Sequence, residues 1–333
     1  MKKVIFVGGS SYSGSTLLDL MLANAPDGFS CGEVSQMFHP YKKHHFNLVC
    51  GCGNSDCTLW SEVKQAGVDK LYDTIFEMFP NVNYIVDSSK DPLWIHERTK
   101  QLLGTGIDVK NVLIWKTPEE YYYSCAKRGQ TQRWESSWIN CHRMYFRMVG
   151  AWHSVRCVDL VTSNDTLERL CQAIGLEYFP EKHQYWDKIH HTLFGNHSAK
   201  LHLYKKGTDA YERSMRVQRD SFRKLAEPAH SEATHQALVA ESQALDETVR
   251  YRPSRRDTTD RMVALIESRD VATNSRVASV DAREQDSSMI DELKASRAHE
   301  LRRRTRRELR TRAIKLYMRL KKRAVGTGRM TGN

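Results

Sequence analysis

A chain of 333 residues, 40% hydrophobic and 27% charged, is long enough to bury an ordinary core and too apolar to remain a disordered polymer. Eight cysteines in that length exclude a disulfide scaffold, and no run of about 18 or more apolar residues reads as a membrane-spanning helix. The formal charge is +11, but residues 297–323 alone hold thirteen Lys/Arg against two Glu, so the excess belongs to that segment and the remainder sums to zero.

The opening Met1-Lys2-Lys3 is followed by too short an apolar run for a secretory leader, so a cytoplasmic location is expected. Val4-Ile5-Phe6-Val7 reads as a buried strand, Gly8 to Gly14 as a tight Gly/Ser turn, and Ser15-Thr16-Leu17-Leu18 onward as a helix start. Strand, glycine turn and helix N-terminus form a phosphate cradle, because backbone N–H groups at a helix start point at an anion. The Gly9 to Gly14 spacing is that of a P-loop, yet Ser15 stands where the P-loop lysine belongs. A cradle without that lysine suits a nucleotide that has no phosphoryl group to transfer, which counts against the alternative of a kinase or NTPase.

Downstream, Tyr84-Ile85-Val86 running into Asp87-Ser88-Ser89-Lys90-Asp91-Pro92 reads as the carboxyl end of a parallel strand, the edge at which open α/β sheets bind ligands. A further strand, Val112-Leu113-Ile114-Trp115, leads through Lys116-Thr117 to Pro118, which fits a first helical turn. Ser124 and Arg128 are four residues apart and share one face of that helix. Tyr121, Tyr122, Tyr123, Trp134 and Trp138 follow helical periodicity and read as core and pocket wall. Strand-like runs at 4–8, 83–87, 111–115 and 155–160 alternate with helical stretches, so the expected architecture is α/β with a central parallel sheet. Residues 164–176 read as a capped helix ending at Gly175.

The loop Tyr12-Ser13-Gly14-Ser15-Thr16-Leu17-Leu18 resembles the 5′-phosphosulfate loop of the sulfotransferases that use 3′-phosphoadenosine 5′-phosphosulfate (PAPS). Cys31-Gly32-Glu33, 21 residues beyond Tyr12, is similar to the Cys-Gly-Glu of the tyrosylprotein branch, and the Ser-Lys-Asp-Pro at 89–92 and the strand–Lys116…Ser124…Arg128 spacing also match bacterial and tyrosylprotein types. Phe194-Gly195-Asn196-His197 resembles the Gly-Asn loop that closes over the nucleotide in bacterial members. The resemblance covers residues 1–205 and implies a P-loop-like three-layer sandwich that transfers a sulfuryl group from PAPS to a hydroxyl acceptor without a metal. It further implies Glu33 as catalytic base and Lys90 as the cation on the leaving bridging oxygen. Tyr12, Ser13, Gly14, Ser15 and Thr16 would then hold the 5′-phosphate, Lys116, Ser124 and Arg128 the 3′-phosphate, and Gly195 and Asn196 the closing loop. Three positions depart from the pattern: Tyr12 replaces a Lys/Arg, Lys116 replaces an Arg, and Ser89 replaces the cysteine that pairs with the Cys31 position. Lys90 or the Tyr12 hydroxyl is left to replace the charge missing at 12.

Cys50-Gly51-Cys52-Gly53…Cys57…Trp60 resembles a string found in the acceptor-side segment of bacterial sulfotransferases. Structural cysteines are the default reading, with a disulfide as one alternative and zinc as another, its fourth ligand coming from Cys31 or a histidine such as His39, His44 or His45. Beyond the first domain, residues 206–250 read as a helical extension and 251–296 as a linker or loose helix. Residues 297–333 read as a basic amphipathic tail, with Leu301, Leu309, Ala313, Leu316, Met318 and Leu320 as a partial stripe. Such a tail reads as a solvated helix that aids solubility or as one for an anionic membrane surface or partner, both ahead of nucleic acid. A non-catalytic nucleotide fold working through that tail is the second alternative, and the acceptor of the transfer is not identified.

Overall fold

The computed structural model describes residues 1–196, 199 and 256–270. All described residues lie in one compact unit within Met1–Arg283. Five strands form one sheet: β1 (Lys3–Gly8), β2 (Gly28–Gly32), β3 (Tyr84–Lys90), β4 (Asp108–Trp115) and β5 (His153–Arg156). Their order is β2-β3-β1-β4-β5, and every pairing is parallel. The helices are α1 (Ser15–Leu22), α2 (Ser35–Phe38), α3 (Leu59–Ala66), α4 (Leu71–Met78), α5 (Pro92–Leu102), α6 (Pro118–Ala126), α7 (Trp134–Met148), α8 (Cys157–Thr162), α9 (Asn164–Ala173) and α10 (Arg256–Glu267).

The continuous apolar run of β1 follows from burial on both faces. Val4 and Phe6 pack into one core, with Trp60 of α3, Trp94 of α5, Tyr121 of α6 and Trp138 of α7. Ile5 and Val7 pack into the other, with Leu18 of α1, Leu160 of α8 and Leu167 of α9. The period of two along the strand thus makes a three-layer α/β/α sandwich. No helix among the described residues is long and apolar enough to cross a membrane.

Parallel strands put all their carboxyl ends at one edge. The chain fills the β2 and β3 side of β1 first and then crosses to β4 on its other side, so the switch point lies beside β1. Gly8 there pairs with Lys90 of β3 and with Leu113 of β4.

Three stretches differ from the sequence-based expectation. Residues 28–32 form the edge strand β2, although Gly28-Phe29-Ser30-Cys31-Gly32 has neither a β-branched residue nor a long apolar run; all five are buried. The run at 155–160 is strand only to Arg156, where its pairing with Trp115 at the end of β4 stops, and helix from Cys157. Within 251–296, α10 is firmly docked. Ile266 is fully buried, Ser154 Oγ of β5 donates to the Ile266 carbonyl at 2.8 Å, and Trp115 Nε1 donates to Asp270 at 3.2 Å. The expected helical extension at 206–250 and the basic tail at 297–333 lie outside the described residues.

Candidate active site

The loop between β1 and α1 is tight because glycine allows it. Gly9 has φ +152°, and a Cβ there would stand 2.4 Å from the backbone oxygen of Ile114. Ser13 N donates to Ser10 O at 3.3 Å, folding the turn back on itself. Gly14 is the N-cap of α1; no side chain caps that helix and its first turn holds no acidic residue. The helix start is therefore electropositive with its first N–H groups uncapped. Ser13, Ser15 and Thr16 are buried around it, and the hydroxyls of Ser10 and Ser13 have no hydrogen-bond partner. Orphaned hydroxyls beside an uncapped helix start fit an anion.

The closing loop meets this cradle. Asn196 N donates to Thr16 Oγ1 at 3.1 Å, and a Cβ on Gly195 would lie 2.9 Å from the same oxygen. Gly195 and Asn196 thus lie against the β1–α1 loop. His197 and Lys200 lie outside the described residues.

Across the switch point, β4 delivers Lys116 to the mouth of α6. Thr117 and Glu120 form a reciprocal capping box, with Thr117 N donating to Glu120 Oε2 at 2.9 Å and Glu120 N to Thr117 Oγ1 at 3.3 Å. Glu120 also takes Arg156 Nη2 at 2.7 Å, which ties the cap to the end of β5. Of the expected row only Ser124 lies on α6; Lys116 precedes the helix and Arg128 sits in the turn after it instead of on its face, and both reach Ser124. Lys116 Nζ donates to Ser124 Oγ at 2.9 Å, and Arg128 Nη1 donates to the Ser124 carbonyl at 2.7 Å. The Arg128 guanidinium lies over the Tyr12 ring, 4.3 Å from its centroid, while the Tyr12 hydroxyl donates to Gln130 at 2.7 Å. Tyr12 therefore links the β1–α1 loop to Arg128 through its ring, and its hydroxyl is taken up by Gln130.

On the other side of β1, β2 and β3 bring up Glu33 and Lys90. Lys90 has φ +65°, a left-handed conformation costly for a residue with a Cβ, and this turns its side chain at the end of β3. Lys90 Nζ donates to Glu33 Oε1 and Gln36 Nε2 donates to Glu33 Oε2, so both carboxylate oxygens are held. The backbone of Glu33 is fixed by its N–H to the Leu193 carbonyl at 2.8 Å.

Two buried acids underlie the pair: Asp19, which did not stand out in the sequence, and Asp87, which opens the polar end of β3 there. Burial pushes Asp19 of α1 up to about 7; its Oδ2 accepts from Ser88 Oγ at 2.6 Å and from Gly32 N at 3.1 Å, stitching α1 to β2 and β3. Burial also raises Asp87, which accepts from Tyr72 at 2.8 Å, Trp94 at 2.9 Å and Ser89 N at 2.9 Å. Ser89, standing where the resemblance has a cysteine, accepts from Ser35 N at 3.0 Å, and Cys31 is a free buried thiol. Near Glu33, burial and the neighbouring His44 and Lys42 charges depress His45 to about 4, with the Glu33 charge opposing them.

The ligand atoms of Cys50, Cys52, Cys57 and His191 lie within 4.8 Å of one another. The candidate fourth ligands from the sequence, Cys31, His39, His44 and His45, are not in that group. All eight cysteines are free, so no disulfide joins any of the three.

Among solved structures, the chain is similar to a sulfotransferase domain from the curacin biosynthetic pathway at 18% identity, covering 60% of this chain and 83% of that one, with a TM-score of 0.45. It is also similar to a sulfotransferase domain from the Synechococcus PCC 7002 olefin synthase, at 19% identity, covering 76% and 97%, with a TM-score of 0.42. At these values the likeness decides nothing about activity, and the fold class rests on the chain's own parallel sheet. No family model and no curated protein matches the chain.

Proposed function

We propose that the chain is a sulfotransferase that binds PAPS at the β1–β4 switch point and passes its sulfuryl group to a hydroxyl acceptor. The observation that carries this reading is the row Lys116–Ser124–Arg128 joined through Tyr12 to an uncapped helix start. It offers two anion subsites on one ligand edge, one backbone-built and one cationic. A nucleotide with phosphates at both 5′ and 3′ positions matches that pair; ATP, with its charge on one chain, does not. Lys116 supplies a point charge and Arg128 a fork, so the fork carries the directional part of phosphate recognition.

In this reading the acceptor oxygen attacks sulfur while the bond from sulfur to the bridging oxygen breaks. The acceptor proton passes to Glu33, and the electron pair stays on the 5′-phosphate of adenosine 3′,5′-bisphosphate. Lys90 leaves Glu33 for the bridging oxygen as charge grows there, which frees Glu33 Oε1 for the hydroxyl. A fixed cation aimed at developing charge and a positioned carboxylate are the two groups such a transfer needs. The reading requires no metal in the reaction.

Calorimetry with adenosine 3′,5′-bisphosphate, AMP and ATP tests it. The bisphosphate is expected to bind at least about tenfold more tightly than AMP, and Lys116→Ala or Arg128→Ala to remove most of that difference, since a hydrogen bond to a charged group contributes roughly 1.5–3 kcal/mol. Equal affinities for the bisphosphate and AMP would overturn the 3′ subsite and the reading with it.

A further inference from the structure

Outside the transfer site, residues 50–57 and 190–193 build a second constellation. Gly51 N donates to Thr192 O at 2.9 Å, and Cys50 bridges Leu193 in antiparallel fashion. The approach is so close that a Cβ on Gly51 would stand 2.5 Å from the Thr192 oxygen. Gly53 N then turns back to Cys50 O at 3.4 Å, and Cys57 N to Asn54 O at 3.3 Å, which returns Cys57 toward Cys50. His191 Nδ1 lies 3.3 Å from Cys50 Sγ and 3.8 Å from Cys57 Sγ. Its ring is stacked on Phe29 with an interplanar angle of 5° and flanked by Phe79, while its carbonyl accepts from Trp60 Nε1 at 2.7 Å. Two aromatic rings thus hold the imidazole and Trp60 holds the backbone that carries it.

We propose that Cys50, Cys52, Cys57 and His191 form a structural zinc site. Zinc at about 2.3 Å from sulfur and about 2.0 Å from nitrogen, in a tetrahedron, sets its donor atoms roughly 3.5–3.8 Å apart. The two S···N separations of 3.3 and 3.8 Å bracket that spacing, and all four donors fall within 4.8 Å. A thiol–imidazole hydrogen bond needs one sulfur; here three converge on the same region. Three sulfurs and one nitrogen, with no carboxylate in the group, select zinc over magnesium or calcium and leave no open position for substrate. The thiols release their protons to solvent on binding the ion.

The site has a consequence for the molecule. His191 begins the strap whose Leu193 accepts from Glu33 N at 2.8 Å, donates to Cys31 O at 3.0 Å, and leads to Asn196 on Thr16. The ion pins that strap to the 50–57 knuckle, and with it the backbone of Glu33 and the lid on the 5′ loop. This inference stands on the cluster's own geometry and does not depend on which group is transferred.

The test uses the full chain, purified without a histidine tag and under a thiol reductant, with metal content read by mass spectrometry. About one zinc per chain is expected in the wild type and in Cys141→Ser, a control at a free cysteine outside the cluster, with loss in Cys57→Ser and in His191→Ala. Cobalt(II) reconstitution gives a readout on the folded wild type itself: intense thiolate-to-cobalt charge-transfer absorption with the visible bands of a tetrahedral ion. Substoichiometric metal after reconstitution with zinc, a disulfide mapped within residues 50–57, or full metal content in both cluster variants would each overturn the proposal.

Discussion

Glu33 and Lys90 are held as an ion pair at the carboxyl ends of two neighbouring regions of the sheet, and each is positioned by something that is not its side chain. Glu33 is fixed through its backbone to Leu193, Lys90 through a left-handed backbone at the end of β3. Replacing the carboxylate by an amide keeps the shape and removes the base of the proposed transfer. Glu33→Gln is therefore expected to lower turnover by roughly 10²–10⁴-fold with binding of adenosine 3′,5′-bisphosphate nearly intact; full turnover in this variant would rule out Glu33 as the base. Tyr12 separates ring from hydroxyl in the same way. Since Arg128 lies over the ring at 4.3 Å and the hydroxyl goes to Gln130, Tyr12→Phe should bind the bisphosphate as the wild type does. Tyr12→Ala should weaken binding several-fold, in line with a cation–π contribution of about 0.5–2 kcal/mol. A loss in Tyr12→Phe equal to that in Tyr12→Ala would show that the hydroxyl, and not the platform, matters.

At the scale of elements, the chain was legible where local chemistry decides and illegible where partners do. The turn at 8–16 announces itself because glycines, serines and an apolar strand leave few other structures, and Ser124 because Pro118 starts the helix that carries it; Lys116 and Arg128 came from the resemblance and lie just outside that helix. β2 was not legible: with a glycine at each end, its strand character comes from pairing with β3 alone. His191 could not be picked out as the fourth member of the cysteine cluster, because 134 residues separate it from Cys57 and only the fold closes that distance. Asp19 sits among leucines and reads as a polar interruption until Ser88 and Gly32 are seen donating to it. α10 has a polar surface and few large apolar residues, so its sequence reads as a loose segment; its buried side, Met262 and Ile266, is specified by the aromatic core it packs into. Truncating that contact tests how firmly α10 belongs to the core. Ile266→Ala is expected to cost about 2–4 kcal/mol, read as a lower urea midpoint. A change below about 0.5 kcal/mol, the range of surface substitutions, would show that α10 is only laid on the sheet.

For the whole molecule, the buried ionisable groups set two opposed responses to acid. His142 is fully buried between Trp138 and Phe146, its Nδ1 2.8 Å from the Trp138 carbonyl, and burial lowers it to about 4. Above an unfolded value of about 6.5 it is neutral in both states, and its contribution is complete. As pH falls from 6.5 toward 4 only the unfolded chain takes the proton, so stability is lost, by up to about 3 kcal/mol. Asp19 works the other way. Burial and the nearby Asp87 charge raise it to about 7, against the Ser88 and Gly32 hydrogen bonds. Below the unfolded value of about 4 it is protonated in both states; as pH rises from 4 to 7 only the unfolded chain ionises, so stability is lost on raising pH, by up to about 4 kcal/mol. Between pH 4 and 6.5 these two slopes have opposite sign and similar size; His45, also held near 4, adds to the first and Asp87, also raised, to the second. Urea midpoints across this window should show Asp19→Asn losing stability on acidification relative to wild type, and His142→Gln gaining it. Parallel curves for wild type and Asp19→Asn would mean that Asp19 titrates alike in the folded and unfolded chain. The buried acid joining α1 to the β2 and β3 ends would then be carried as an ordinary carboxylate.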